Sequence, residues 1–67
     1  MQLHQLLRFI NFKTPLIIYD IEGIIICTVN CKNDIDIDLY EYPILELNSG
    51  IVGMPNGIPG IFITIQK

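Results

Sequence analysis

Not one alanine occurs among the 67 residues of this chain, whereas isoleucine fills fifteen positions. Alanine is the best helix former and isoleucine is β-branched and stiff at χ1, so the bias points to a sheet-dominated fold. A long apolar run is missing too: the longest uninterrupted stretch, Ile24 to Cys27, falls far short of the roughly 20 residues of a membrane-spanning helix. The first residues show no basic segment followed by an apolar core and a small-residue cleavage site, so a cytoplasmic location is expected. Basic residues number only four and are scattered. Phosphate binding needs clustered Lys and Arg, which disfavours nucleic acid as a direct ligand.

A chain of this length is expected to be one domain, 1–67, and at this size only about 60% of the unfolded surface is buried on folding. With 51% hydrophobic residues and a mean hydropathy of +0.49, a small monomer has difficulty covering its apolar side chains. A homo-oligomer is therefore expected. The formal charge is −3, and all seven carboxylates lie between Asp20 and Glu46 with only Lys32 among them. Arg8, Lys13 and Lys67 fall outside that stretch. The suitable counterpart for such a distribution is a protein partner with a basic surface.

The two cysteines are Cys27 and Cys31. On one extended strand they would stand roughly 13 Å apart, beyond the roughly 7 Å limit for a disulfide, so a bridge requires a turn between them. Two reduced cysteines, with Cys27 in the core, are favoured over a disulfide or a metal site.

Leu3, Leu6, Leu7 and Ile10 recur at the spacing of one helical face, with Gln2, His4, Gln5 and Arg8 on the other. This predicts an amphipathic helix ending near Asn11, with Arg8 close to its negative end. Leu16 to Tyr19 and Ile24 to Val29 read as two strands of a hairpin. Asp20-Ile21-Glu22-Gly23 between them suits a type I turn in which Gly23 takes a positive φ. The polar segment Asn30 to Asp34 ends the second strand.

Beyond it, Asp34 to Tyr42 alternates acidic and apolar residues, yet Asn33 or Asp34 could cap a helical turn; a short helix or irregular crossover is preferred over a strand. Ile44 to Leu47 reads as a third strand. Ser49 to Gly60, with four glycines and two prolines, fits no regular element. Ile61 to Ile65 closes the chain as a strand that is apolar on both faces and so is buried or centrally paired. The expected architecture is α+β: an N-terminal amphipathic helix packed on a four-stranded, mainly antiparallel sheet.

Candidate chemistry is sparse. Asp34, Asp36 and Asp38 reproduce the first alternate acids of an EF-hand loop, but Leu39 and Leu45 stand where that loop needs Gly and Glu. A solvated acidic face is the better reading. His4 falls on the polar side of the helix, which favours a surface histidine over a base for Cys27 or Cys31. The Gly-rich segment holds no basic residue and no phosphate-loop pattern. No catalytic residue, metal or cofactor is expected.

Two candidate interaction surfaces remain. One is the stripe of Asp34, Asp36, Asp38, Tyr40 and Tyr42, where the acids would meet a basic protein and the tyrosines would anchor it. The other is the apolar set Ile51, Val52, Met54 and Ile58 among turn formers, for which a lid folded back over the sheet edge is favoured and a protruding contact surface is the functional reading. A non-catalytic interaction module is the function that follows. Its rivals are a structural subunit of a homo-oligomer and a small thiol-dependent enzyme built on Cys27, Cys31 and His4.

The opening helix of Leu3, Leu6, Leu7 and Ile10, the acidic hairpin from Ile17 to Gly23, the Tyr-led strand from Tyr42 to Leu47 and the final strand from Ile61 to Ile65 are together similar to small uncharacterised proteins of phages and mobile elements in AT-rich Gram-positive bacteria. The long Gly/Pro segment before the last strand departs from that pattern. The resemblance implies an accessory or anti-defence factor that acts by binding a host protein.

Overall fold

The computed structural model describes residues 1–53 and 57–67. Four strands, β1 (Leu16–Tyr19), β2 (Ile25–Val29), β3 (Ile44–Val52) and β4 (Ile58–Ile65), form one mixed sheet in the order β2-β1-β4-β3. One short helix, α1 (Leu3–Leu7), precedes them. β1 and β2 pair antiparallel, as do β3 and β4, whereas β1 and β4 run parallel. That last pairing departs from the expected sheet. Apolar alternation looks the same in either direction, and here the chain leaves β2 at one edge and re-enters at β3 on the other, so β4 returns alongside β1.

The core lies on one face of this sheet. Leu16 and Ile18 of β1 and Ile63 and Ile65 of β4 meet Leu3, Leu7 and Ile10 from the N-terminal segment and Ile35 and Leu39 from the crossover. Parallel register sets Leu16 beside Ile61 and Ile18 beside Ile63. The opposite face carries Tyr19 and Phe62 in an edge-to-face pair, with ring centroids 6.4 Å apart.

The helix is shorter than its apolar spacing predicts. After Leu7 the N–H groups of Phe9 and Ile10 donate to the Leu6 and Leu7 carbonyls, the tighter three-residue pattern. Five residues cannot hold a helix by themselves, so its ends are secured from outside. The Leu3 and His4 N–H groups donate to the carbonyls of Tyr42 and Tyr40, each at 3.0 Å. At the other end Lys32 Nζ donates to the Leu7 carbonyl at 2.8 Å and the Ile10 carbonyl at 2.9 Å. Sequence position favoured Arg8 for that role; Arg8 is exposed, and the cation comes from a residue 25 positions away from Leu7.

The first hairpin turns as its residues predict. The Gly23 N–H donates to the Asp20 carbonyl, and the Asp20 carboxylate accepts from the N–H groups of Glu22 and Ile24 at 2.9 Å each. Gly23 has φ +83°, a conformation that costs L-residues roughly 1–2 kcal/mol. Gly23→Val is expected to lower Tm by about 5–15 °C, given about 4–8 °C per kcal/mol in a domain of this size. Glu22→Gln serves as the unchanged control, and thermal denaturation followed by circular dichroism checks both.

The second hairpin corrects the reading of Ser49 to Gly60. β3 extends to Val52 and β4 begins at Ile58, so Ile51, Val52 and Ile58 are strand residues rather than loop. Gly50 and Gly60 face each other across the pair. The Phe62 ring fills the space beside Gly50, and the Val52 side chain does the same for Gly60. Glycine serves here for close cross-strand packing, which composition alone reads as a turn.

Candidate acidic and tyrosine surface

The crossover from β2 to β3 carries the acidic stripe. It is built of two 3₁₀ turns, Lys32–Asp34 and Ile37–Leu39, in keeping with the short helix or irregular crossover expected there. Ile35 and Leu39, four apart, drop into the core, while Ile37 between them is 73% exposed. Neither Asn33 nor Asp34 caps the first turn; Cys31 holds that position. Asp36 caps the second, its carboxylate accepting from the Asp38 N–H at 3.0 Å.

Asp34, Asp36 and Asp38 are all exposed, and Tyr40 and Tyr42 are half-buried against the core. Asp38 and Tyr40 line an open depression of about 600 Å³ together with His4, Ile37 and Glu41. A smaller depression of about 210 Å³ beside it is lined by Asp38, Glu41 and Tyr42. Asp38 and Glu41 therefore share both. Lys67 Nζ lies 5.8 Å from the centre of the Tyr42 ring, so one aromatic face at this site already receives a cation.

Sequence reasoning missed Glu41, His4 and Ile37 as members of this surface. The signal for Glu41 was its place within the stripe; His4 and Ile37 arrive through the docking of α1 on the Tyr40 and Tyr42 carbonyls and through the 3₁₀ turn. Asp34 and Asp36 lie outside both depressions.

The second candidate set is placed elsewhere. Ile51 and Ile58 are exposed, Val52 is half-buried, and Met54 lies outside the described residues. These positions sit at the far end of nine-residue β3 from Tyr42 and Pro43, about 25 Å away at the rise of a strand. The two surfaces are not one site.

Lys32, the single cation in the acidic stretch, is occupied by backbone carbonyls. Cys27 and Cys31 are both free and half-buried. Burial, and secondarily the charge of Asp36, pushes the Cys27 thiol above its ordinary pKa, which keeps it protonated and a poor nucleophile at neutral pH. His4 Nε2 is within 2.8 Å of Gln2 Oε1, and the two depressions His4 lines include neither cysteine. Among the described residues there is no group of three or more His, Cys, Asp and Glu side chains suited to a metal, and no helix long and apolar enough to cross a membrane. Comparison of the chain with family models, with curated proteins and with solved structures finds no match in any of the three.

Proposed function

We propose that this chain is a non-catalytic α+β interaction module, an accessory or anti-defence factor of phage or mobile-element type that acts in the cytoplasm by docking on a basic host protein through the surface from Asp34 to Tyr42. The observation that carries this reading is the pair of depressions that Asp38 and Glu41 both line, the first with Tyr40 and the second with Tyr42. Carboxylates beside aromatic faces suit a lysine or arginine side chain, which gains both an ion pair and a cation–π contact. The tyrosines are held by the core beneath and by backbone bonds to α1, so little conformational freedom is lost when a partner seats. A thiol enzyme is less well supported, because the Cys27 thiol is held protonated and His4 is engaged by Gln2.

The triple variant Asp34→Asn, Asp36→Asn, Asp38→Asn tests this. Asparagine is as good an N-cap as aspartate, so the 3₁₀ turn over Ile37–Leu39 keeps its cap and only the charge is removed. Binding to an immobilised Arg- and Lys-rich peptide is expected for the native chain, weakening as salt rises, and is expected to vanish in the triple variant. Equal binding by both proteins would remove the proposal.

A further inference from the structure

β3 occupies one edge of the sheet; the Ile44 N–H at its start donates to the Met1 carbonyl at 2.8 Å, and beyond Ile44 no strand other than β4 pairs with it among the described residues. Natural edges are blunted by brevity, proline, basic side chains or bulges. β2, the other edge, is five residues long and its pairing with β1 is broken by a bulge. β3 has nine residues with no proline, lysine or arginine; its pairing with β4 shifts register once, between Ile44 and Glu46, and is then unbroken from Glu46 to Val52. Leu47 stands directly across from Ile63 and therefore on the core side of the sheet, yet it is 51% exposed. Ile51 shares that side and is 61% exposed. The apolar surface of the core thus runs on to the edge and stops there uncovered.

We infer that β3 pairs antiparallel with β3 of a second copy of this chain, about a two-fold axis at Asn48, to give one continuous eight-stranded sheet. The sequence of the strand is self-complementary in that register. Asn48 meets its own copy, Leu47 faces Ser49, and Glu46 faces Gly50. Leu47 of one copy is then the diagonal neighbour of Leu47 of the other, on the shared core side, within reach for apolar contact. Like charges do not oppose each other: the two Glu46 carboxylates are offset by four positions, about 13 Å, beyond the screening length of about 8 Å at physiological salt. The Asn48 side chain donates to Glu46 at 2.9 Å, which holds that carboxylate along its own strand. Self-pairing of this edge is separate from the acidic surface, which lies before β3, and stands or falls without it.

Sedimentation equilibrium of the full chain over a range of concentrations is the test. The native protein is expected to go from monomer to dimer, while Leu47→Lys, which puts two like charges side by side at the pairing, stays monomeric with a native circular dichroism spectrum. Should Leu47→Lys not fold, Ser49→Lys places the charge at the same contact from an already exposed position. A native chain that is monomeric at every concentration overturns the inference. So does a dimer that persists unchanged in the lysine variant, or an assembly larger than two.

Discussion

Ile63→Ala is expected to abolish the cooperative thermal transition. Ile63 has no exposed surface, and β4 places it between Ile18 on one side and Leu47 on the other. Truncating a fully buried isoleucine costs about 2–5 kcal/mol, because the cavity left behind adds to the lost transfer energy. A single core in a domain of this size supplies rarely more than about 3–5 kcal/mol of net stability. The loss matches the whole. Ile37→Ala is the control, since Ile37 is 73% exposed on its 3₁₀ turn and its truncation should shift stability by no more than about 0.5 kcal/mol. Circular dichroism during heating distinguishes the two; an Ile63→Ala protein that melts as sharply and as late as the native chain would contradict the packing described for β4.

Lys32→Met should lower the urea midpoint without changing the slope. The Lys32 ammonium donates to the Leu7 and Ile10 carbonyls at the end of the short helix, the first of which otherwise accepts only the 3.4 Å bond from the Ile10 N–H. Hydrogen bonds from a charged group contribute about 1.5–3 kcal/mol, and partial exposure of Lys32 reduces this to about 1–3 kcal/mol for the pair. Methionine keeps most of the apolar stem, so the measured difference reports the lost donors rather than lost packing. Lys13→Met, at an exposed position, should leave the midpoint where it is. An unchanged midpoint in Lys32→Met would mean that the crossover does not hold the end of α1 in place.

Much of the layout is legible residue by residue. The spacing of Leu3, Leu7 and Ile10 places them on one face, and all three are core. Asp20 and Gly23 specify their turn through local hydrogen bonds and a positive φ, interactions that need no other part of the chain. The doubly apolar β4 belongs at the centre of the sheet, and it is there. The less legible parts depend on partners distant in sequence. Helix length was overestimated because apolar period says nothing of where backbone groups find outside partners, and Lys32 supplies one such partner across the fold. Gly50 and Gly60 read as breakers because the ring of Phe62 and the side chain of Val52 that fill their space lie on the paired strand, two positions from the residue directly opposite.

For the candidate site, the acidic residues and the tyrosines were visible as a run, but their grouping was not. The expected short helix or irregular crossover takes the form of two 3₁₀ turns, which bury Ile35 and Leu39 and expose Ile37, where an extended segment would set all three on one side. That rearrangement brings Asp38 and Glu41 to the same pair of depressions and leaves Asp34 and Asp36 aside.

Sequence alone determined that this chain forms strands, which residues could fill its core, where the first hairpin bends, and that negative charge gathers in the middle third. Those properties come from local sterics, side-chain branching and composition, each acting within a few residues. Tertiary structure alone decided that β1 and β4 run parallel, that Lys32 closes α1, that Ile51, Val52 and Ile58 belong to strands, and that β3 from Glu46 to Val52 lies at an edge of the sheet. Each of these is a choice among pairings with equal local cost, and only the packing of residues far apart in the chain breaks the tie.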